Sequence, residues 1–512
     1  MEKRRYPLKK ALQELKKRDS EIMLLNHAAE TLRWDQETYM PPKALPQRAD
    51  QISLLQGMIH EKVVEKSNAG LFAECGLTAT TPNGPAESDD IERAFLRESF
   101  KRFSKQTKVP KTLVTELAHT QSIAQANWIE AKKTADYNKF KPYLSKLLGL
   151  LQQYAECMGY EDEIYDALLD DYEPYAKTKE TEKLFDSLKD SLVPLLAKIV
   201  EKRKSGESDI IQRSFPVAKQ EEFNNQLLAA MGFDLSRGRM DVSAHPFTTT
   251  LGGHDVRLTT RYNEHFFPSS VFGTIHEAGH GLYELGMGEK LSGSLLANGT
   301  SLGIHESQSR LWENLVGRSR AFWEGFYPGF KSLFHDALND VPLDDFYHAV
   351  NSVSPSLIRV EADEVTYNLH IILRFNLERK LLSQDLSVDD LPEAWNIMSK
   401  ELLGIMPAND SEGVLQDVHW SMGALGYFPT YTLGNLYGSQ FYDTMKQAHP
   451  DIEKQIKNKN LLTVKQWLAD NIHVHGSVYP AGELVQRVTG KPLDPQYFTR
   501  YITAKYGALY DL

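Results

Sequence analysis

The chain has 512 residues, 41% of them hydrophobic and 25% charged, which is enough apolar material for a large core and excludes a small domain held together by disulfides or a metal. Its mean hydropathy of -0.43 is too polar for a membrane bundle, so we expect a soluble globule. The formal net charge of -11 provides no basic surface for nucleic acid or for an anionic membrane.

The cysteine content and the N-terminus both bear on location. Only Cys75 and Cys157 occur, which excludes a disulfide framework and a cysteine-based zinc cluster. The first residues, MEKRRYPLKKALQELKKRDSE, are basic but contain no apolar run of a signal peptide. No stretch approaches the roughly 18 apolar residues of a membrane-spanning helix. We expect a cytoplasmic protein.

Apolar residues recur three and four positions apart along most of the chain, as at Leu113, Leu117, Ala124 and Trp128. This spacing predicts a mainly α-helical protein. The small residues, prolines and glycine of segment 78–85 predict a loop after a helical hairpin, and segment 88–90 can cap the next helix. A long helical region then runs to about residue 204, where the polar segment 204–208 predicts a second break.

The segment from His245 to Tyr262 does not follow helical spacing. It reads HPFTTTLGGHDVRLTTRY, rich in Thr, Val and aromatic residues, with Gly252 and Gly253 between two extended runs. These features predict a β-hairpin inside the helical protein.

A metal-binding motif follows the hairpin, in a helix that Pro268 can start. His276 and His280 lie one turn apart on one helical face, so both imidazoles can reach one zinc ion, and Glu277 projects beside them. This HExxH pattern is typical of zinc peptidases, in which zinc acidifies a water and polarises the scissile carbonyl while the glutamate moves the proton. Two ordinary histidines on a helix are the alternative.

The third ligand discriminates between classes of such enzymes. No further histidine follows at metzincin spacing, so we expect a carboxylate from a later helix. Glu306 begins a new helical stretch and is our candidate. Glu284, Glu289 and Glu313 are rivals, although Glu284 lies on the same helix as the histidines and Glu289 near the end of that helix.

With these motifs in order, the chain resembles the thermostable carboxypeptidase (carboxypeptidase Taq) family of zinc metallocarboxypeptidases. The resemblance covers nearly the whole sequence, and its segments are WDQETYMPP from Trp34, HPF from His245, DVRLT from Asp255, HEAGH from His276, HESQ from His305, GVLQDVHW from Gly413 and KYGALY from Lys505. It supports a single catalytic domain over residues 1–512, with a mainly helical part at 1–204 and the zinc site in 205–512.

The resemblance implies a two-lobed helical zincin with a deep central groove and a small β-sheet beside the metal helix. It implies one Zn²⁺ per chain, replaceable by Co²⁺, with Glu306 as third ligand. It further implies a homodimer that removes single C-terminal residues from peptides, with broad preference but excluding a C-terminal proline.

An exopeptidase must bind the free terminal carboxylate, and the planar guanidinium of an arginine matches it. Arg359 is our candidate, and the resemblance also indicates it. Pairing with Glu361, Asp363 or Glu364 on its own helix is the alternative. Arg257 on the hairpin could face the groove, and its strand could pair with extended substrate. His245, in the family's HPF segment, is a further candidate substrate contact.

Two side chains resemble the histidine and tyrosine that relatives of angiotensin-converting enzyme hold over the tetrahedral intermediate. They are His419 and Tyr427. Tyr431 is a rival hydrogen-bond donor to the oxygen of that intermediate and is also a candidate substrate contact. Simple packing of an aromatic core segment is the alternative. Asp417 could orient a histidine, and Arg310 stands where those relatives carry an acidic residue, which leaves the orientation of the metal histidines open.

Two other functions remain possible from sequence. A zinc oligoendopeptidase would share the helical body and metal site but would lack a group that binds the terminal carboxylate. A helical peptide-binding module with structural zinc is disfavoured, because structural zinc takes four protein ligands and this chain offers three. The WDQETYMPP segment is assigned no chemistry.

Overall fold

The computed structural model describes residues 2–78, 81–82, 89–203, 206 and 208–512, with side chains from residue 9 onward. The α-helices in these ranges are α1 Glu2–Thr38, α2 Leu45–Val63, α3 Lys66–Glu74, α4 Asp90–Lys108, α5 Lys111–Thr134, α6 Lys141–Met158, α7 Tyr165–Leu169, α8 Thr178–Lys202, α9 Val217–Met231, α10 Pro268–Leu285, α11 Leu302–Arg310, α12 Arg320–Leu333, α13 His335–Leu338, α14 Leu343–Val350, α15 Thr366–Leu382, α16 Leu391–Leu403, α17 Pro429–Ala448, α18 Ile452–Lys457, α19 Leu462–Asn471, α20 Ala481–Thr489 and α21 Gln496–Tyr510. A π-helix spans Leu311–Gly317, directly after α11.

The predicted breaks near the N-terminus are met in part. Three helices precede the first break, where we predicted a helical hairpin. Within that break, residues 79–80 and 83–88 lie outside the described residues. Asp89 caps α4 by accepting a hydrogen bond from the backbone N–H of Glu92. At the second break α8 ends at Lys202, and residues 204, 205 and 207 of the predicted segment are outside the described ranges.

The predicted hairpin is present and belongs to a three-stranded sheet. Strands β2 (Thr248–Gly252) and β3 (Asp255–Thr260) pair antiparallel, as expected from the sequence. A strand that we did not predict, β1 (Gly238–Val242), pairs parallel with β3 and gives the order β1-β3-β2. The sheet packs against α10, so β2 and β3 lie beside the metal-binding motif.

Two glycines allow the helices of the site to approach closely. A Cβ on Gly279 of α10 would lie 2.8 Å from the backbone oxygen of Gln308 in α11. A Cβ on Gly434 of α17 would lie 2.7 Å from Cγ of Glu306. Carbon atoms rarely approach within about 3.5 Å, so only glycine permits these contacts. Helices α10, α11 and α17 therefore form one tightly packed unit.

The two largest of three clusters of buried apolar side chains hold most of the helices together. The larger extends from Ala124 in α5 to Tyr510 in α21 and includes the buried face of α10. The smaller joins Leu12, Phe72 and Phe95 from the N-terminal helices. The predicted fold class, mainly α with a small sheet beside the metal helix, is confirmed. Among the described helices, none has the length and apolar character needed to cross a bilayer.

Candidate metal centre

The two histidines of the HExxH motif and Glu306 converge at one point between α10 and α11. Nε2 of His276 lies 3.6 Å and Nε2 of His280 lies 3.5 Å from the same Oε2 atom of Glu306. Tetrahedral zinc with metal–ligand distances of about 2.0–2.1 Å separates its ligand atoms by roughly 3.4 Å. The three donors therefore have the chemistry and the spacing that one zinc ion requires.

Glu306 is held in this position by the turn that follows it. Nε of Arg310 donates to Oε1 at 2.7 Å, and the Ser309 hydroxyl donates to Oε2 at 3.0 Å. Burial by itself would raise the pKa of Glu306, but the adjacent Arg310 and the two histidines hold it well below its usual range. These hydrogen bonds therefore hold Glu306 as an anion facing the two histidines.

His276 is oriented by Glu313, a rival ligand in the sequence analysis. Its Nδ1 lies 2.9 Å from Oε2 of Glu313, which projects from the π-helix. Burial opposes ionisation of Glu313, but Arg310 and His276 lower its pKa to about 2. The carboxylate thus accepts a hydrogen bond from Nδ1–H, and the lone pair of Nε2 faces Glu306 and His280, the arrangement common around zinc histidines.

His280 is oriented by a second histidine. Its Nδ1 lies 2.6 Å from Nδ1 of His305, whose Nε2 lies 2.7 Å from Oε1 of Glu284. Burial and the neighbouring His305 lower the pKa of His280 to about 3, so the ring is neutral near pH 7. The other rival, Glu289, begins a three-residue 3₁₀ turn beyond the end of α10.

Glu277 is fixed from the sheet side. The Thr248 hydroxyl of β2 lies 2.7 Å from Oε2 of Glu277 and 3.0 Å from its backbone oxygen. Burial raises the pKa of the Glu277 carboxyl, although His276 and Thr248 oppose the shift. The hairpin therefore sets the rotamer of this carboxylate.

His419, Tyr427 and Tyr431 form one aromatic cluster before and within the first turn of α17. The Tyr431 hydroxyl lies 3.4 Å from Nε2 of His419, and the Tyr427 ring lies 5.2 Å from the His419 ring. Because Tyr431 precedes Gly434 by three residues on α17, it lies on the face that contacts Glu306. Burial lowers the pKa of His419 to about 4, so it is neutral near pH 7.

A buried carboxylate joins the two ends of the segment that carries His419 and Tyr427. Glu378 of α15 accepts from the indole N–H of Trp420 at 2.8 Å and from the backbone N–H of Gly426 at 3.0 Å. The Tyr165 hydroxyl donates to it at 2.6 Å. Burial raises the pKa of Glu378 to about 7 in spite of these donors.

The alternative considered from the sequence, in which Arg359 pairs with acidic residues on its own helix, does not occur. Arg359 starts a 3₁₀ turn, Arg359–Glu361, and its Nε and Nη2 donate to Oδ1 of Asp417 at 3.0 and 2.8 Å. Asp417 also accepts from Nε of Arg374 at 2.6 Å, so it holds arginines rather than a metal histidine. The remaining nitrogen, Nη1 of Arg359, lies 3.3 Å from the Tyr367 hydroxyl.

Tyr367 links Arg359 to the metal ligands. The Arg310 guanidinium lies over the Tyr367 ring, 4.5 Å from its centroid, and Arg310 in turn binds Glu306. The Arg359 guanidinium also lies 5.2 Å from the centroid of the Tyr431 ring. The structure thus brings Arg359 next to the aromatic cluster, three contacts away from Glu306 through Tyr367 and Arg310.

Of the remaining two candidates, Arg257 lies on strand β3 and His245 lies in the loop before β2. Arg257 of β3 binds Asp255 through Nε at 2.9 Å and Nη2 at 2.8 Å, and its guanidinium lies 4.1 Å from the Trp34 ring centroid. His245 is exposed between β1 and β2, and its backbone oxygen accepts from the Ser243 hydroxyl.

The WDQETYMPP segment joins α1 to the sheet. The Tyr39 hydroxyl donates to Asp241 at 2.5 Å, and the Arg239 guanidinium lies near the rings of both Trp34 and Tyr39. This contact set gives the segment a structural role that its sequence did not reveal.

Several side chains that hold the site were not found from sequence. Thr248 and His305 lie within motifs that we quoted, but nothing in their spacing shows which neighbour they bind. Glu284, four residues after His280, did carry a signal, since that spacing lies on one helical face. Arg374 is isolated in sequence from Asp417, and only the fold brings them together.

Comparison with known proteins identifies the family of this site. The family profile described as carboxypeptidase Taq (M32) metallopeptidase matches residues 14–506. Thermostable carboxypeptidase 1 of Thermus thermophilus is 42% identical over 488 residues, covering 93% of this chain and 94% of the relative. Carboxypeptidase 1 of Bacillus subtilis is 36% identical over 485 residues, covering 95% and 96%. The crystal structure of the Deinococcus radiodurans R1 carboxypeptidase of the same family superimposes with a TM-score of 0.94 at 36% identity, over 98% of this chain and 100% of that one.

Proposed function

This chain belongs to the carboxypeptidase Taq (M32) family and is a metallocarboxypeptidase, and on that premise we propose that it is a zinc enzyme that removes single C-terminal residues from peptides with broad preference. The observation that carries the proposal is the convergence of His276, His280 and Glu306 at zinc-like spacing. When bound there, zinc supplies Lewis-acid chemistry, polarising the scissile carbonyl and acidifying a water.

Glu277 serves as the general base and then as the general acid. Its carboxylate takes the proton of the attacking water and returns it to the leaving amine, the roles that a buried carboxyl of raised pKa performs near neutral pH. The hydrogen bond from Thr248 holds the carboxylate in one rotamer throughout. Glu277 therefore needs no rearrangement between the two proton transfers.

His419 and Tyr427 donate hydrogen bonds to the oxygen on which negative charge develops. Neutral imidazole and phenol groups stabilise such an oxygen best when they are fixed before the reaction. Glu378 supports this, because it binds both Trp420 and Gly426, each adjacent to one of the two donors. Tyr431, which lies 3.4 Å from His419, is a rival donor and a substrate contact.

Arg359 binds the terminal carboxylate of the substrate. Asp417 holds one side of its guanidinium, and Nη1, whose contact with Tyr367 is a long 3.3 Å, lies on the other. A carboxylate is a stronger acceptor for this nitrogen than a phenol. Arg257 and His245 contact substrate residues further from the cleaved bond. Because Arg257 is bound to Asp255, it acts through backbone and packing contacts rather than as a free charge.

Digestion of an unstructured peptide tests the exopeptidase activity directly. Mass spectrometry should show successive losses of single C-terminal residues, and the same peptide with a C-terminal amide should be turned over far more slowly. Equal turnover of the amide would instead favour the oligoendopeptidase alternative. Glu277→Gln should keep about one zinc per chain and lose turnover by several orders of magnitude, and comparable activity in that variant would rule out its role as base.

The assembly and the wider setting remain proposals as well. We propose one catalytic domain over residues 1–512, supported by the apolar cluster that runs from α5 to α21. A homodimer is expected from the family resemblance, and light scattering on the purified chain tests it. Addition of Co²⁺ to the metal-free protein should restore its activity. A cytoplasmic location remains a prediction from the scarcity of cysteine.

A further inference from the structure

We infer that His305 and Glu284 are positioning residues that fix the tautomer and orientation of His280. The inference rests on the proposed zinc function and assigns new roles to two residues outside the ligand set. It is drawn from the contact chain His280–His305–Glu284, whose two contacts measure 2.6 and 2.7 Å.

The protons along this chain have a single consistent arrangement. Nε2 of His280 faces Glu306 and His276, so a metal at that point requires the lone pair of Nε2 and leaves the proton on Nδ1. Two ring nitrogens 2.6 Å apart cannot both carry protons, so Nδ1 of His305 is the acceptor. Nε2 of His305 then donates to Oε1 of Glu284 at 2.7 Å. The carboxylate therefore selects the tautomer of His305, and His305 selects that of His280.

The His305 ring is held in place by its surroundings. A Cβ on Gly299 would lie 2.8 Å from Cδ2 of His305, so the backbone of Gly299 rests against one side of the ring. The Tyr283 ring lies 5.3 Å from it. Glu284 is buried, and among the described residues only His305 forms a hydrogen bond with its Oε1. These contacts keep His305 from turning away from His280.

The arrangement also explains why the two metal histidines differ. His276 donates directly to the carboxylate of Glu313, whereas His280 reaches the carboxylate of Glu284 through an intervening ring. An imidazole nitrogen is a weaker hydrogen-bond acceptor than a carboxylate oxygen, so the hydrogen bond from His280 is weaker than the one from His276. Loss of the intervening ring removes both the acceptor and the connection to Glu284.

Zinc affinity of the full-length protein, measured by competition with a chromogenic chelator, tests the inference without relying on activity. His305→Leu should weaken zinc binding by about 10- to 100-fold. His305→Asn, whose Oδ1 reproduces the acceptor at the Nδ1 position, should stay within a few-fold of wild type. Glu284→Leu should reduce zinc affinity less than His305→Leu does. If His305→Leu does not fold, Glu284→Leu provides the test instead.

His473→Leu is the matched control. His473 is buried against the same Tyr283 ring, but its Nε2 lies 2.9 Å from Oε1 of Gln308 rather than from a zinc ligand. The inference is overturned if His305→Leu or Glu284→Leu binds zinc as wild type does, or if His473→Leu weakens binding equally. If wild-type protein itself binds no zinc, the proposed function fails instead, so the two failures are distinguishable.

Discussion

Replacing Gly434 by alanine should damage the metal centre from a residue that binds no metal. Gly434 lies inside α17, where glycine to alanine normally stabilises a helix by about 0.5–1 kcal/mol. Here the added Cβ would lie 2.7 Å from Cγ and 2.8 Å from Cβ of Glu306. Carbon atoms prefer separations of about 3.5–4.0 Å, so α17 and Glu306 must separate by nearly 1 Å.

The expected cost follows from these distances. Overpacking of this size destabilises proteins by about 1–3 kcal/mol. After the helical gain of about 0.5–1 kcal/mol is subtracted, the net loss is up to about 2.5 kcal/mol. The displacement falls on Glu306, the proposed zinc ligand, and ligand positions tolerate only about 0.5 Å, so zinc affinity should fall by about 10-fold or more. Gly149→Ala is the control, since Gly149 lies inside α6 with nothing within 4 Å of its added Cβ.

Urea denaturation of the metal-free proteins measures the free energy of unfolding, and competition with a chelator measures the zinc affinity. Gly149→Ala should be slightly more stable than wild type with unchanged zinc affinity. A Gly434→Ala protein that matched this control in both measurements would refute the packing argument, because no repulsion against Glu306 would then exist.

Three further outcomes are expected. Burial raises the pKa of Glu378 from 4.5 to about 7, so protonated Glu378 stabilises the folded state fully below about pH 4.5. About 3 kcal/mol of this folding free energy is lost as the pH rises through 7. Glu378→Gln should abolish that part of the pH dependence of stability in urea titrations. Arg359→Ala should raise KM for free-carboxylate peptides, leave zinc near one per chain, and remove most of the preference over the amidated peptide; an unchanged preference would exclude Arg359 as the carboxylate-binding group. Thr248→Val removes the hydrogen bond to Glu277 and should lower kcat by about 10-fold with zinc content unchanged, and a wild-type kcat would contradict its role.

The sequence was most informative where local periodicity decides the structure. The spacing of His276 and His280 predicted α10 and its metal-binding face, and Pro268 predicted its start, because helix geometry depends on neighbours within a few residues. The Gly252–Gly253 turn predicted the hairpin of β2 and β3 for the same reason. Strand β1 was not predicted because it is short and because no turn residues connect it directly to β3, with which it pairs in parallel.

Contacts between distant segments could not be predicted in this way. The bond between Arg359 and Asp417 joins residues 58 positions apart, while the acidic residues next to Arg359 suggested a local pair that does not form. Glu313 was counted as a possible ligand, and only the π-helix shows that its carboxylate meets Nδ1 of His276 instead. Spacing limits which residues can meet, but packing selects among them.

The shared carboxylate of Asp417 leaves an imbalance of charge in the buried cluster around Arg359. Two guanidinium groups, Arg359 and Arg374, face this one anion, so the trio carries a net charge of +1 within low-dielectric surroundings. A peptide C-terminus bound at Arg359 brings the total to zero. An amidated peptide leaves the excess charge in place, and a liberated amino acid retains the carboxylate that neutralises it. If Arg359 is the carboxylate-binding group, the product is held by the same electrostatic attraction as the substrate, which predicts competitive inhibition by free amino acids.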